Sequence, residues 1–215
     1  MLINKTNTSI VLTPLFLLVS AWCTPTLQAD LKEGLVGHYR FDEGQGSTTA
    51  DSSASGRTGT LNGGAAWVPG VYGSALQFNG TDAYVGTGES FLNDLSEFSL
   101  AGWISAANPP AGRIGLFGQD GTLECGFLGG ELGIYTRSNS NADGHWQWIG
   151  TAYSFSSPAW HHVAVTGDAE RIVLYVDGEE VASGNVDTNT FGTSIDPTKL
   201  DDPGDPFNIG SAVLD

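Results

Sequence analysis

The sequence has little positive charge. Its 215 residues include 8 Lys and Arg against 24 Asp and Glu, which gives a formal net charge of −16 at pH 7. A surface of this sign repels phosphate backbones and anionic lipid headgroups. The composition therefore argues against nucleic acid or a membrane surface as partners, and it is typical of a soluble, secreted protein or of one that binds calcium.

Acidic residues are missing from the first 29 residues. This segment has one basic residue, Lys5, then an apolar run from Ile10 to Trp22, and it ends at the small Ala29. The layout predicts a secretory signal peptide over residues 1–29 and a mature domain over residues 30–215, secreted or at the cell surface. A transmembrane anchor is the alternative, but the run of about 13 residues is shorter than the roughly 20 that span a bilayer.

Cysteine is scarce, with Cys23 and Cys125 alone. A lipoprotein anchor at Cys23 is an alternative to cleavage after Ala29, although the bulky Trp22 stands where such sites take Gly or Ala. Once the leader is removed, Cys125 remains by itself, so no intramolecular disulfide can form. We interpret Cys125 as a small buried strand residue rather than a nucleophile.

Several enzyme motifs are also missing. No Ser has Gly two positions before and two positions after it, so the nucleophile elbow of the hydrolases is absent. Neither a phosphate-binding loop nor a zinc-binding helix motif occurs. The sequence therefore predicts a protein that is not an enzyme.

Glycine is abundant, at 30 residues, and short apolar alternations follow one another along the chain without a long helical period. The alternation predicts strands bounded by turn residues; they include Leu35–Phe41, Phe98–Ile104, Gly112–Gly118, Leu132–Thr136, Trp146–Gly150 and Phe207–Ala212. In RIVLYVDGEEVASG, Asp177 and Gly178 predict the type I′ turn of a hairpin. The pattern as a whole predicts two packed antiparallel sheets.

The stretch AWHHVAV places two histidines side by side. Neighbours in a strand point to opposite faces, so His161 shares a face with Val163 and Val165, while His162 shares the other with Trp160. The pair cannot chelate one metal ion together. We expect one of the two to lie beside the core as a hydrogen-bonded neutral histidine.

Taken together, the segments Gly34–Val85, Phe98–Ile104, Ala159–Gly184 and Phe207–Ala212 resemble the bacterial laminin G-like jelly roll family, within the concanavalin A-like lectin and glucanase fold. The resemblance implies an all-β, two-sheet antiparallel jelly-roll sandwich. It also implies an accessory domain that often binds carbohydrate and holds a structural calcium ion. Family members continue past the last of these segments with a closing strand, so we expect further sequence after Asp215 and further domains in the same polypeptide.

Glucanases of this fold class carry acids at alternate positions of one strand, which aims nucleophile and general acid into one cleft. The sequence has no such triple. Asp168 with Glu170 and Asp177 with Glu179 are the nearest pairs, and neither extends to a third acid. We interpret both pairs as solvated hairpin tips.

Calcium takes six to eight oxygen ligands, commonly from loops. The candidate ligands are Asp42 and Asp51 in one loop and Asn79 and Asp82 in a tight turn; by resemblance, Asp51 and Asp82 stand near the calcium of family members. Asx turns are the alternative for both. The acidic loop Asp201–Pro206 is a further candidate, with a plain solvated turn as its alternative.

Sugar-binding surfaces combine flat aromatic rings with hydrogen-bonding groups. Trp146 and Trp148 are expected on one side of a strand, and the loop before it supplies Asn139, Asn141, Asp143 and His145. A core position for one or both tryptophans is the alternative. Trp67, Trp103 and Trp160 are predicted to lie in the core.

These observations favour a non-catalytic, extracellular carbohydrate-binding or adhesion module of a larger secreted or surface protein, with a glycan or a surface protein as its ligand. A structural or protein-interaction spacer is the second hypothesis. A glycoside hydrolase of the same fold is the third, and the missing acid triple argues against it. No membrane insertion is expected after the leader is cleaved.

Overall fold

The computed structural model describes residues 34–92, 97–107, 109, 111–119, 122–137, 146–155, 157–168, 170–185 and 206–210. All of them belong to the compact unit Lys32–Asp215. Within these ranges no helix has the length and hydropathy of a membrane span. The regular elements described are strands: β1 (Thr48–Thr49), β2 (Gly59–Asn62), β3 (Ala66–Pro69), β4 (Ser74–Gln77), β5 (Tyr84–Gly86), β6 (Phe98–Ser105), β7 (Arg113–Gln119), β8 (Leu123–Leu128), β9 (Glu131–Arg137), β10 (Trp146–Gly150), β11 (Trp160–Gly167), β12 (Arg171–Val176), β13 (Glu179–Asn185) and β14 (Phe207–Ile209).

The strands form two main sheets and one hairpin. The larger sheet has eight strands in the order β1-β2-β5-β14-β7-β8-β9-β10, and the smaller has four in the order β13-β12-β11-β6. Strands β3 and β4 pair with each other. The larger sheet brings β14, from the end of the described chain, between β5 and β7, and both of these pairings are antiparallel. The predicted all-β, two-sheet antiparallel sandwich is confirmed.

The core lies between the two sheets. The larger sheet contributes Leu123, Cys125, Phe127, Leu132 and Ile134, and the smaller contributes Val163, Val165, Ile172, Leu174 and Val176. Each set occupies alternate strand positions, as expected when one face of a strand is buried. Cys125 is fully buried, and burial raises the pKa of its thiol well above the usual range, as expected for an inert core residue.

The hairpin predicted around Asp177 and Gly178 joins β12 to β13. Both residues have positive φ, at 53° and 85°. The two positive values match the requirement of a type I′ turn, which the Asp-Gly dipeptide meets. The apolar alternation on either side therefore identified the correct strand pair.

Two of the sequence predictions are wrong, one made from the alternation and one from the family pattern. Residues Leu35–Phe41 do not form a strand: only Tyr39 makes a β-bridge, to Asp51, and Phe41 has a φ of 57°, which interrupts the extended backbone. Trp103 is not a core residue, since it is 51% exposed. It lies on β6 opposite His162, on the face of the smaller sheet that points away from the core.

Candidate functional site

Trp148 lies on the outer face of the larger sheet. Its neighbour on β10, Ile149, is a core residue, so Trp148 points the other way. Two glycines that pair across β9 and β10, Gly133 and Gly150, lie beneath its indole. A Cβ atom at Gly133 would stand 2.5 Å from the indole, and one at Gly150 would also collide with it. The missing side chains therefore let the indole lie close against the sheet.

Tyr135 stands beside Trp148 on the same face. The two residues are register partners, and their ring centroids are 6.4 Å apart with planes inclined by 51°. Arg113 reaches Tyr135 from β7 and places its guanidinium carbon 4.3 Å from the ring centroid. This is the geometry of a cation–π contact. Trp148, Tyr135 and Arg113 thus form a continuous surface of flat groups, which we call the aromatic platform.

Glu124 holds Arg113 in position. One guanidinium nitrogen of Arg113 donates to Oε2 of Glu124 at 2.8 Å. The Glu124 side chain is 3% exposed and that of Arg113 is 34% exposed. Charge-assisted hydrogen bonds of this kind are stronger than neutral ones. Because the two charges offset each other, the platform combines a fixed guanidinium with little net charge.

Only some residues of the predicted sugar site lie within the described part of the chain. Trp148 belongs to the platform and is half-buried. Trp146 is the first residue of β10 and pairs with Arg137. Asn139, Asn141, Asp143 and His145 lie outside the described residues. The proposed sugar surface therefore remains a prediction, with Trp148 as the one member whose side chain is placed.

Two platform residues, Arg113 and Tyr135, were missed in the sequence, and so was Glu124, which holds the arginine. Glu124 offered a signal, because it is an acid between the apolar residues Leu123 and Cys125 in a predicted strand context. An acid at an alternate position marks the face opposite the core. Only the pairing of β7, β8 and β9 shows that it meets an arginine and a tyrosine.

Asp51, a calcium candidate, has its oxygens occupied. Oδ1 accepts from the backbone N–H groups of His38 and Ser53 at 2.7 and 2.8 Å. Oδ2 accepts from the Ser53 hydroxyl at 2.8 Å and from the Arg57 N–H at 3.1 Å. Burial raises the pKa of this carboxyl, but the four hydrogen bonds outweigh burial and hold the pKa below its usual range. These donors match the Asx-turn alternative for Asp51, and its calcium assignment stays a prediction.

The other calcium candidates have local partners as well. Oδ1 of Asn79 accepts from three backbone N–H groups, and its Nδ2 donates to Oδ1 of Asp82 at 2.8 Å. Asp42 pairs with Arg40 at 2.8 Å. Among the described residues, no three His, Cys, Asp or Glu side chains come together as a metal site. Of the Asp201–Pro206 loop only Pro206 is described. Calcium binding stays a prediction in this loop and at the other candidates.

Replacing Asp51 with asparagine should lower the free energy of unfolding by about 2 kcal/mol near neutral pH, because an amide cannot accept from four donors. The folded pKa lies below the unfolded value of about 3.9, so the carboxylate stabilises above that pH and its contribution is lost as the pH falls through the folded pKa. Urea denaturation should show the difference from wild type shrinking below about pH 4. The exposed Asp42→Asn variant is the control and should change stability by less than about 0.5 kcal/mol. A difference that stays constant with pH would contradict the assignment.

The two adjacent histidines point to opposite faces, as predicted. Nδ1 of His161 lies 2.7 Å from Oδ2 of Asp177 and 3.2 Å from the hydroxyl of Tyr153. The backbone N–H of His162 donates to Oδ1 of Asp177 at 2.9 Å. The hydrogen bond from His161, and then that from His162, lower the pKa of Asp177. Asp177 is thus both a turn residue and the anchor of β11 to the β12–β13 hairpin.

Two solved structures of other proteins have a similar fold. Domain 4 of AbnA, an extracellular GH43 arabinanase from Geobacillus stearothermophilus, was solved in complex with arabinotriose. It is 21% identical over 83% of this chain and 84% of that chain, with a TM-score of 0.58. The binding domain of Paraclostridial Mosquitocidal Protein 1 is 18% identical over 80% of this chain, with a TM-score of 0.53. This chain spans 48% of the length of that toxin structure. At these identities the likeness concerns the fold.

The sequence comparisons point to the same fold group. No curated protein matches the chain by sequence. The model of the Laminin_G_3 family, described as the concanavalin A-like lectin/glucanases superfamily, matches residues 79–211. That span begins before β5, ends after β14 and contains every residue of the aromatic platform. The chain therefore belongs to the Laminin_G_3 family of the concanavalin A-like lectin/glucanase superfamily.

Proposed function

We propose that this chain is a non-catalytic carbohydrate-binding module and that it binds its ligand on the aromatic platform. The observation that carries the proposal is the placement of the Trp148 indole over Gly133 and Gly150, beside the Tyr135 ring. A half-buried, flat ring offers an apolar surface for one face of a sugar, and the adjacent Arg113 offers N–H donors for its hydroxyls. The similar fold of AbnA domain 4, whose structure contains arabinotriose, supports this proposal.

The ligand class is neutral glycans. The formal net charge of −16 repels acidic polysaccharides at long range. At short range, the one cation of the platform, Arg113, is already paired with the buried Glu124. A sulfate or carboxylate on the ligand would therefore meet no uncompensated positive charge on the platform.

The absence of catalysis is supported by the carboxylate arrangement. A retaining glycosidase uses two carboxylates about 5 to 5.5 Å apart, one as nucleophile and one as acid. Of the two described carboxylates beside the platform, Glu124 is bound by Arg113 and Glu131 lies near the Trp148 indole. The register partner of Glu131 is Leu128, four residues from Glu124, so the two acids stem from backbone positions roughly 13 Å apart. Glu124 thus serves to position the guanidinium, and the platform serves to hold a glycan.

The setting of the module follows from the leader. The apolar, acid-free segment over residues 1–29 supports export and a secreted or cell-surface location. In that setting, a binding module would keep a larger protein close to its polysaccharide. Further domains in the same polypeptide would supply the activity that this proximity serves.

A screen of immobilised neutral and acidic polysaccharides tests the proposal. We expect the protein to bind one or more neutral polysaccharides and to leave acidic ones unbound at physiological ionic strength. Salt at that concentration screens the long-range repulsion, so acidic polysaccharides stay unbound because the platform offers them no uncompensated positive charge. Binding to none of the neutral polysaccharides would overturn the proposed function. Binding confined to acidic polysaccharides would overturn the ligand class.

A protein ligand is the second candidate, and Trp103 favours it. Trp103 is 51% exposed on the outer face of the smaller sheet. Its ring meets that of His162 edge to face, with centroids 5.4 Å apart. Exposed tryptophan is enriched where proteins bind one another. A partner protein whose binding is lost in Trp103→Ala and kept in Trp148→Ala would establish this function instead.

A further inference from the structure

One row of residues crosses all eight strands of the larger sheet at the level of Trp148. Each member is the register partner of the next; from β1 to β10 they are Thr48, Thr60, Gly86, Asn208, Gly118, Glu124, Tyr135 and Trp148. Neighbouring strands lie about 4.8 Å apart, so the row spans roughly 34 Å, and Asn208 lies roughly 19 Å from Trp148. We call these eight residues the cross-strand row.

The cross-strand row faces away from the core. Its neighbours along the strands are core residues, among them Phe117, Leu123, Cys125, Ile134 and Ile149. Since successive side chains alternate between faces, the members of the row share the outer face with the aromatic platform. The platform is therefore one end of a longer surface.

From Gly118 to Thr48, the row consists of glycines and short polar side chains. Gly86 and Gly118 flank Asn208 on either side and add no side chain. Beyond Gly86, Thr60 and Thr48 are exposed and offer hydroxyl groups. The row thus changes from aromatic groups at β9 and β10 to hydrogen-bonding groups at β14, β2 and β1.

Asn208 is the feature that points to a ligand in this part of the row. Its side chain is half-buried, and within the described part of the chain its Oδ1 has no hydrogen-bond partner. The oxygen is itself buried and has no donor, which is costly, so a rotation that brings it to a bound hydroxyl would relieve that cost. Rotation about χ2, which is broad for asparagine, would present either the oxygen or the NH₂ group to it.

We infer that the ligand is an extended neutral oligosaccharide that lies across the strands along this row, from Trp148 to at least Asn208. This inference rests on the proposed function and adds to it the length and direction of the ligand. A single sugar stacked on Trp148 cannot reach a group roughly 19 Å away. A chain can, and its hydroxyls would then meet Asn208 and the threonines. The module therefore binds internal stretches of a polysaccharide rather than its terminal sugar.

Isothermal titration with neutral arabino-, xylo- and gluco-oligosaccharides, from the disaccharide to the hexasaccharide, tests the inference. For the series that binds, we expect affinity to rise about tenfold or more between the shortest and longest members, as two or more hydrogen bonds are added. Asn208→Ala should weaken the hexasaccharide about three- to tenfold and leave the disaccharide unchanged. Gly86→Ala, which places a methyl group in the row 3.2 Å from the Tyr84 ring, should act in the same direction.

Thr166→Ala, on the outer face of the smaller sheet, is the matched control and should bind every length as wild type does. Thermal melting shows that each variant is folded. Equal affinity for the disaccharide and hexasaccharide, with binding still dependent on Trp148, would overturn the extended ligand and leave the proposed function standing. An Asn208→Ala effect of equal size on both lengths would overturn it too. Failure of every oligosaccharide to bind would overturn the extended ligand, and the proposed function falls with it only if no neutral polysaccharide binds in the screen.

Discussion

Replacing Trp148 with alanine is expected to weaken glycan binding by about thirtyfold or more, a loss of about 2 kcal/mol, which is the scale at which aromatic anchors contribute to binding surfaces. The loss has two sources. The stacking surface itself disappears, and the removal of the indole leaves Gly133 and Gly150 as an open trough beside Tyr135. A sugar in that trough would meet backbone rather than a flat apolar ring.

The stability of the Trp148→Ala variant should change less than its affinity. The indole lies on the outer face of the sheet and the hydrophobic core lies on the other, where Ile149 is 6% exposed. Thermal melting should therefore show a folded protein. Titration with the polysaccharide that wild type binds gives the affinity.

Trp103→Ala is the matched control, since it removes the same side chain from the outer face of the other sheet. We expect this variant to bind glycan as wild type does. If both substitutions weaken binding equally, the ligand does not distinguish the two sheets and the platform is not the site. If Trp148→Ala binds normally, the platform is excluded directly.

The sequence predicted those features that depend on a short stretch of chain. Apolar alternation placed β6 and β11, and the dipeptide Asp177–Gly178 identified its hairpin because only a few residue types accept positive φ at both turn positions. Phe41 shows the limit of this reasoning. It has a φ of 57°, a conformation that phenylalanine does not favour. The sequence therefore contained no sign that the predicted strand Leu35–Phe41 would be interrupted there.

The candidate site depends on register, which alternation does not determine. Arg113, Glu124, Tyr135 and Trp148 come from four different strands. Each strand could be assigned an inner and an outer face, yet a shift of two residues in one pairing would keep those faces and separate Arg113 from Glu124. The same holds for Asn208, which enters the row because β14 lies between β5 and β7. Trp103 was misplaced for a related reason, since apolar character alone does not identify which face carries a large aromatic residue.

Replacing Arg113 with methionine is expected to lower the free energy of unfolding by about 3 kcal/mol, or to lower Tm by roughly 6 to 12 °C. The reason lies in Glu124, whose side chain is 3% exposed and which accepts a hydrogen bond from Arg113 at 2.8 Å. Without the guanidinium, a buried carboxylate loses a charged partner. Methionine keeps most of the length of the side chain, so the change reports on charge more than on packing.

Arg171→Met is the matched control because Arg171 pairs with Glu180 at the surface, where the side chains are 47% and 43% exposed. Exposed pairs contribute about 0 to 1 kcal/mol, so this variant should lie within that range of wild type. The double variant Arg113→Met with Glu124→Gln should recover part of the lost stability, since it removes the buried charge together with its partner. Urea denaturation of the four proteins gives the coupling energy. If Arg113→Met is no more destabilised than Arg171→Met, the buried pair does not hold the platform together, and the fixed position of the guanidinium over Tyr135 must have another cause.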